Sequence, residues 1–267
     1  MSLKGCNNFN IKTLESHQQN ITEVIYTENF TLSTLICDED DRLTLWGLAR
    51  LFQDIAGDQS DELGVGFNNL QQEHKAWILT HVYYNILRLP VAGERLILKT
   101  WAKQDNGLIA PRDYQLIDEK GEICASSASN WVILNTDTRR VCRLNETIAV
   151  YEKENLHATK YEKLEKLSMP SELQMFKHID VPYSSLDHTR HVNNAEYIKW
   201  ICDSIEEICK PRSTGRKEIS ELSVNYIKET KYADPDVNLL RHIDGNDYFY
   251  QLTNSNGISV NAIVSLK

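Results

Sequence analysis

The residues of this chain whose types are best suited to chemistry lie in one short stretch between Asp187 and Trp200. The stretch contains Asp187, His191 and two asparagines, and an amphipathic helix pattern follows at once. A carboxylate and an imidazole can exchange protons near neutral pH, and the first turn of a helix presents free backbone N–H groups. Polar groups at such a loop-to-helix junction predict a small catalytic site, in which the start of the helix stabilises a developing oxyanion.

Three neighbouring side chains in this stretch have simpler explanations. Asn193 or Asn194 can cap the helix through a side-chain oxygen, and His188 fits an ordinary loop position. A zinc site built from Asp187, His188 and His191 lacks a fourth ligand, so we expect no metal and no other cofactor. The absence of a G-x-S-x-G motif argues against a serine hydrolase.

Composition limits the kind of protein to which this stretch belongs. The 267 residues are 41% hydrophobic and 25% charged, as in ordinary globular proteins. The formal net charge of −9, without a basic stripe, argues against nucleic-acid binding. No apolar run approaches the roughly 18 residues of a membrane span, and the polar first residues do not resemble a signal peptide. Six cysteines without C-x-x-C spacing favour a reduced, cytoplasmic protein.

The elements that must position the stretch can be predicted from periodicity. A strand pattern over residues 24–36 precedes helical spacing over residues 43–61, where Leu48, Phe52 and Ile55 share one stripe. Strand patterns then follow, separated by turn residues, over residues 77–87, 95–103, 110–117 and 122–134. A long helix followed by an antiparallel meander predicts an α+β fold in which the sheet wraps the helix.

The same order of elements returns in the second half of the chain. Tyr114-Gln115-Leu116 reappears as Tyr250-Gln251-Leu252, 136 positions later, and Ile86 corresponds to Ile227 at an offset of 141. We therefore predict a tandem repeat. Its parts are a polar tail over residues 1–20, a first unit over 21–144, a partly helical linker over 145–174 and a second unit over 175–267.

The second unit opens with a predicted strand over residues 176–184 and a predicted helix over residues 192–209. The buried stripe of that helix is expected to be Val192, Ala195, Ile198, Cys202, Ile205 and Cys209. The repeat is not symmetric in its chemistry, because the first unit has no histidine near Arg42 and has Arg88 where the second has Glu229. The acid, the histidine and the glutamate therefore occur together only in the second unit, which favours a chemical role.

These residues carry a resemblance to a known family. Over nearly the whole chain from about Val24, the sequence resembles the plant-type and bacterial acyl-acyl-carrier-protein thioesterases. The resemblance includes I-L-R-L-P-V-A-G-E from Ile86, N-W-V-I-L-N from Asn130 with the T-R-R that follows, and H-V-N-N-x-x-Y-I-x-W from His191. It implies two fused hotdog domains, hydrolysis of fatty acyl-acyl-carrier-protein, and an acyl carrier protein as the partner.

The family's catalytic pattern is D-x-N-x-H together with a glutamate on the following strand. Carried over, it assigns Asp187, His191 and Glu229, with Thr189 at the position where the family usually has asparagine. For thioester hydrolysis our hypothesis is that Glu229 acts as general base on water, His191 binds the carbonyl or shares proton transfer, and Asp187 orients His191. Thr189 and the helix start are expected to hold the oxyanion. Thr230 stands where plant members have a cysteine, which weakens a cysteine mechanism here.

The first unit needs another role, and the resemblance suggests binding of the acyl chain. Trp46, Phe52 and Ile55 are expected to line the acyl tunnel, although each could equally be a plain core residue. Asn193 is a further candidate substrate-binding residue.

An arginine cluster is the expected docking patch for the acidic carrier protein. Arg139, Arg140 and Arg143 form the only tight arginine cluster of the chain, and a solvated loop is the alternative interpretation.

Two other functions stay open at this stage. The chain could hydrolyse acyl-coenzyme A, or it could bind acyl thioesters without catalysis, since Thr189 departs from the family pattern. Acyl chain length depends on the tunnel at the scale of single methylenes and cannot be read from the sequence. Two fused units could form the complete assembly within one chain, and a homodimer is also open.

Overall fold

The computed structural model describes residues 24–144, 156–210 and 215–267. The first unit contains β1 (Tyr26–Thr31), α1 (Leu45–Glu62), α2 (Phe67–Gln72), β2 (Lys75–Ile86), β3 (Arg95–Ala102), β4 (Ala110–Asp118), β5 (Ile123–Asn135) and β6 (Arg140–Cys142). The second contains β7 (Gln174–His178), α3 (Asn194–Cys202), α4 (Glu206–Cys209), β8 (Ile219–Tyr226), β9 (Asn238–Asp244), β10 (Asp247–Asn254) and β11 (Gly257–Leu266).

The strands form one antiparallel sheet that confirms the tandem repeat. Its order is β1-β3-β4-β5-β2-β8-β11-β10-β9-β7, so each unit repeats the same strand order and the two orders meet at the centre. There β2 pairs with β8 from His81 opposite Asn225 to Asn85 opposite Glu221. The short strand β6 forms a hairpin with β5 beyond this path. The two units therefore share one continuous sheet.

Helix α1 packs its apolar stripe onto the first half of the sheet. Thr44 caps the helix, because its hydroxyl accepts a hydrogen bond from the Gly47 N–H at 3.1 Å. Phe52 is stacked between Tyr84 and Tyr114, with ring centroids 6.2 and 4.9 Å away. Because α1 also contacts α3, the two helices lie side by side on one face of the sheet.

Helix α3 is shorter than its periodicity predicts. Asn193 caps it by accepting from the Ala195 N–H at 2.9 Å, and the helix ends at Cys202 instead of continuing to residue 209. The Ser204 hydroxyl donates to the Ile201 carbonyl at 2.6 Å, a local bond that competes with helix continuation. One more turn follows as α4, and Cys209 is exposed, so its predicted place on the buried stripe is wrong. The stripe gains Ile201, which is fully buried.

The opening strand of each unit is also shorter than predicted. Strand β1 ends at Thr31 and β7 at His178, and in each unit a short 3-10 turn follows, at Thr34–Ile36 and Tyr183–Ser185. These turns precede the loops that lead into α1 and α3. The β-branched residues that suggested longer strands therefore lie partly in connecting turns.

The predicted linker follows the outer face of the sheet, opposite the helices. Its described part, residues 156–173, contains no helix or strand, so the predicted helical content is not found there. The Ala158 N–H donates to Asp113 at 2.7 Å, and the Leu167 N–H donates to Asn225 at 2.7 Å. Tyr161 packs edge-on against Tyr83 with centroids 4.6 Å apart. This segment covers the seam where β2 and β8 join the two units.

Candidate active site

The loop before α3 is a tight turn closed by Asp187. The Asp187 N–H donates to the His191 carbonyl at 2.9 Å, and the Asp187 carboxylate accepts from the Thr189 N–H at 2.8 Å. Arg190, between Thr189 and His191, has a left-handed backbone with φ of 65°. Such a conformation costs a non-glycine residue energy and requires support from its surroundings. The bonds made by Asp187 provide that support.

The first unit contains the same turn before α1. The Asp38 N–H donates to the Arg42 carbonyl at 2.7 Å, Asp38 accepts from the Asp40 N–H at 3.0 Å, and Asp41 has a φ of 57°. Asp38 therefore occupies the place of Asp187, and Arg42 the place of His191. Because both units contain this aspartate, part of its role is to shape the turn. His191 is specific to the second unit.

Thr189 connects Asp187 to His191. Its hydroxyl oxygen lies 2.5 Å from Asp187 Oδ1 and 3.2 Å from His191 Nδ1. A carboxylate only accepts hydrogen bonds, so the hydroxyl donates to Asp187 and accepts from the Nδ1–H of His191. This pattern assigns the proton of the neutral imidazole to Nδ1 and leaves Nε2 free to take one. The predicted contact between Asp187 and His191 thus runs through Thr189, whose proton is committed to Asp187 and not to an oxyanion.

Glu229 lies on the other side of His191, in the segment that follows β8. Its Oε2 is 3.4 Å from His191 Nε2, and the side chains of Glu229 and His191 are 29% and 24% exposed. The backbone is held beside the turn, because the Val192 N–H donates to the Thr230 carbonyl at 2.9 Å and His191 pairs with Lys231. The structure therefore brings together all four of the predicted catalytic residues.

A residue from the first unit completes this cluster. Arg139, at the end of the β5–β6 turn, has one guanidinium nitrogen 2.7 Å from Glu229 Oε2 and the other 3.5 Å from Oε1. Sequence reasoning assigned Arg139 to a carrier-protein patch with Arg140 and Arg143. All three are exposed, and Arg139 also has this second contact inside the site. No local pattern indicates that contact, because it joins residues 90 positions apart.

Thr230 lies in the core and has no part in the site. Its side chain is fully buried and accepts from Asn254 at 3.1 Å, while its N–H donates to the Tyr197 hydroxyl at 3.2 Å. Burial raises the pKa of Tyr197 to about 12, so this hydroxyl stays neutral at physiological pH. A side chain at position 230 is therefore enclosed in the core and is not among the residues that line the neighbouring cavity.

The cluster lies in the wall of a large cavity of about 1640 Å³ between the two units. The first unit contributes much of the apolar wall, including Ala76, Trp77, Ile78, Leu79, Ala102, Ala110, Pro111, Trp131, Val132 and Leu134. The second contributes Asp187, Thr189, His191, Asn193, Asn194, Tyr197 and Glu229. Cavities that bind drug-sized molecules usually measure about 300–1,000 Å³, so this cavity has room for a long apolar chain.

The predicted tunnel residues do not line this cavity. Phe52 and Ile55 are buried against the sheet, and Trp46 lies between α1 and α3, with the cations of Arg50 and Lys199 5.5 and 5.6 Å from its ring centre. The cavity instead borders the neighbouring stripe of α1, which includes Gln53, Asp54, Ala56, Gly57, Ser60 and Asp61. The apolar stripe of a helix marks the face that is buried, and here that face packs on the sheet.

Two further observations concern the described residues only. They contain no group of three or more histidine, cysteine, aspartate or glutamate side chains arranged to hold a metal ion. Among these residues, no helix has the length and apolar character needed to cross a membrane.

Two helix-bearing units on a shared antiparallel sheet, with one polar cluster at a large cavity, define a tandem hotdog protein. The Acyl-ACP thioesterase N-terminal domain model matches residues 23–151, and the C-terminal domain model matches residues 168–264. Together they cover most of the chain. The chain belongs to the acyl-ACP thioesterase family.

Named relatives and solved structures agree with this assignment. The chain is 24% identical over 229 residues to oleoyl-acyl carrier protein thioesterase 1, chloroplastic, of Arabidopsis thaliana, covering 78% of this chain and 61% of that relative. It is 26% identical over 196 residues to palmitoyl-acyl carrier protein thioesterase, chloroplastic, of Gossypium hirsutum, covering 68% of this chain and 47% of that one. The chain thus spans about half to three fifths of the length of these relatives.

The solved structures match over nearly their full length. A crystal structure of an acyl-ACP thioesterase from Bacteroides thetaiotaomicron has a TM-score of 0.76 at 21% identity, covering 91% of this chain and 98% of that one. The 12:0-ACP thioesterase from Umbellularia californica has a TM-score of 0.73 at 17% identity, covering 92% and 98%. At these identities the likeness establishes the fold.

Proposed function

We propose that this protein hydrolyses the thioester of a fatty acyl group carried on acyl carrier protein and releases the free fatty acid. The observation that carries the proposal is the His191–Glu229 pair, 3.4 Å apart in the wall of the 1640 Å³ cavity. The cavity offers an apolar wall for an acyl chain, and the pair offers proton transfer at its edge. The names of the relatives, which are thioesterases for oleoyl- and palmitoyl-acyl carrier protein, support this substrate class.

The proposed reaction begins with a water molecule bound beside the His191–Glu229 pair, on its cavity side. The water oxygen attacks the thioester carbonyl carbon while its proton passes to His191 Nε2, which the Thr189 contact leaves free. The Glu229 carboxylate stabilises the imidazolium. We assign the proton to His191 because the Thr189 contact leaves Nε2 as an acceptor, whereas both oxygens of Glu229 already accept from Arg139.

The start of α3 is the proposed site for the developing oxyanion. The first N–H groups of a helix have no carbonyl within the helix to bond, and the helix dipole favours negative charge there. The Ala195 N–H already donates to the Asn193 side chain. Asn194 lines the cavity, so its N–H is the candidate donor to the oxyanion. When the C–S bond breaks, the thiolate leaves with the electron pair and takes a proton from His191. Thiols have a pKa near 8.5, so this last step needs little assistance.

A panel of acyl thioesters tests the proposal. Acyl-carrier-protein and acyl-coenzyme A substrates of several chain lengths are incubated with the protein, and released thiol is measured. Turnover confined to, or much faster with, the carrier protein supports the proposal, whereas a preference for coenzyme A favours that alternative. If the protein binds acyl-carrier-protein but hydrolyses no chain length, the result favours a non-catalytic acyl-binding module.

The carrier protein is proposed to dock at the exposed arginines beside the cavity. Arg140 and Arg143 are exposed and close in sequence to Arg139, and acidic partners are attracted to such patches in a salt-dependent way. Changing Arg140 and Arg143 to glutamate should raise KM for acyl-carrier-protein while leaving KM for acyl-coenzyme A nearly unchanged. An equal effect on both substrates would refute docking at this patch.

Cellular location and assembly remain proposals of the same kind. We propose a cytoplasmic protein on the basis of its unpaired cysteines, although both relatives above are named as chloroplastic. Fractionation of the host cell tests the location. Sedimentation of the purified protein tests whether it forms a homodimer.

A further inference from the structure

The Arg139–Glu229 ion pair crosses between the units at the proposed reaction centre, and sequence reasoning gave Arg139 a different role. We infer that Arg139 is the positioning residue for Glu229, supplied to the active site of the second unit by the first. This inference rests on the proposed hydrolysis. It gives the β5–β6 hairpin a part in catalysis besides any part in docking.

The same oxygen of Glu229 faces both Arg139 and His191. Oε2 lies 2.7 Å from the guanidinium of Arg139 and 3.4 Å from His191 Nε2. A guanidinium is a planar donor pair that fixes the plane of a carboxylate and its distance, which a lysine ammonium does less well. Arg139 therefore holds Oε2 beside Nε2, where the carboxylate can stabilise the imidazolium.

In the described part of the chain, little else holds the Glu229 side chain. It follows β8 instead of lying within it, and its carbonyl accepts from Asn254 at 3.0 Å, which anchors the backbone only. Within the described part of the chain, its carboxylate contacts Arg139 and His191. A flexible glutamate needs such a partner to stay in a reactive geometry.

The β5–β6 hairpin holds Arg139 in a fixed position. Thr138 is fixed by two bonds to Asn135, from its N–H at 2.8 Å and its hydroxyl at 2.9 Å. The Arg139 N–H donates to the Asn135 carbonyl at 2.9 Å, and the residue has a left-handed backbone with φ of 58°. Thr136 also bonds the His74 carbonyl, at 2.8 Å through its N–H. A strained residue in a turn braced on several sides is typical of a functional position.

Arg139→Ala is the direct test. We expect kcat to fall by about 10²-fold, the scale seen when a catalytic group is misplaced by about 1 Å, with KM for an acyl-coenzyme A or acyl-pantetheine substrate changed by no more than about threefold. Added guanidinium ion at tens of millimolar should restore at least about tenfold of the lost kcat, because it can refill the site beside Glu229. Sodium chloride at the same ionic strength should not. Arg139→Lys should fall between the alanine variant and the wild type.

Arg42→Ala is the matched control. Arg42 forms a comparable arginine–glutamate pair with Glu218 at 3.0 Å, at the place equivalent to His191 but in the first unit and away from the cavity. It should keep wild-type kcat and show no response to guanidinium. Equal melting temperatures for both variants and the wild type would exclude misfolding as the cause of any loss.

Two outcomes would overturn the inference. One is a kcat for Arg139→Ala within about threefold of wild type, and the other is a loss of kcat that guanidinium leaves unchanged. Failure of the proposed function is distinguishable, because the wild-type protein would then release no thiol from any substrate. An active wild type with an unaffected Arg139→Ala variant refutes the positioning role alone.

Discussion

Replacing Thr189 with valine should separate the orienting role of its hydroxyl from the shape of the turn. Valine keeps nearly the same volume and preserves the backbone N–H that bonds Asp187 at 2.8 Å, so the turn should persist. It removes the hydroxyl that lies 2.5 Å from Asp187 and 3.2 Å from His191 Nδ1. The imidazole then loses the partner that fixes its proton on Nδ1.

The expected size of the effect follows from the charge that develops on the imidazole. Hydrogen bonds to charged groups contribute about 1.5–3 kcal/mol, and each 1.4 kcal/mol corresponds to about tenfold in rate. Thr189→Val should therefore lower kcat by about 10- to 100-fold while leaving KM nearly unchanged, measured as thiol released from a saturating acyl thioester.

Thr189→Asn is the companion variant. Its amide oxygen can accept from Nδ1–H and its amide nitrogen can donate to Asp187, so activity should stay at or above the wild-type level. A valine variant with wild-type kcat, or an asparagine variant as slow as the valine variant, would refute the relay through position 189.

The remaining predictions concern the reacting pair, pH and the helix interface. His191→Ala and Glu229→Gln should each lower kcat by about 10²–10⁴-fold, the usual contribution of an acid–base group, and wild-type rates in either would refute that residue's role. Burial lowers the pKa of His81 to about 4. Below about pH 6.5 the unfolded chain therefore binds a proton at this histidine, whereas the folded protein does not bind it until the pH approaches 4. The free energy of unfolding should accordingly fall by up to about 3 kcal/mol as the pH falls from 6.5 towards 4. Urea unfolding at several pH values should show this slope in the wild type and lose most of it in His81→Gln. Arg50→Ala leaves the buried Glu196 carboxylate without its 2.8 Å partner and should cost about 2 kcal/mol, below the value for fully buried pairs because Arg50 is 43% exposed. The double variant Arg50→Ala/Glu196→Gln should be more stable than Arg50→Ala, which thermal melting can measure. A double variant with a lower melting temperature than Arg50→Ala would contradict this account.

Periodicity and internal offsets were sufficient to predict the repeated unit. The predicted register of Glu229 with Arg88 is wrong by one residue, because equivalent bonds join Leu43 to Pro90 and Val192 to Thr230, which aligns Glu229 with Leu89. Such local signals follow from burial, because alternation and helical spacing record which face is covered. Tight loops such as that of Asp187 are also local, since their bonds join residues two to four positions apart.

The sequence could not identify the neighbour of each buried or charged group. The stripe of Phe52 and Ile55 correctly indicated burial, but periodicity does not distinguish packing on a sheet from lining a cavity. Arg139 looked like part of a surface cluster because its contact with Glu229 depends on how the two units join along β2 and β8. Both the cavity lining and the Arg139–Glu229 contact are long-range geometry, which depends on the assembled sheet.

The proposed chemistry draws on both units of the duplication. The turn frame is the same before α1 and before α3, yet the first unit places Arg42 and Leu89 where the second places His191 and Glu229. In the first unit Arg42 pairs with Glu218 at 3.0 Å, so the frame there supports an ion pair. The second unit places an acid and an imidazole side by side, an arrangement that needs a fixed cation to hold the acid in position. That cation, Arg139, comes from a hairpin of the first unit, so an isolated second unit would have the reacting pair without the residue that orients it.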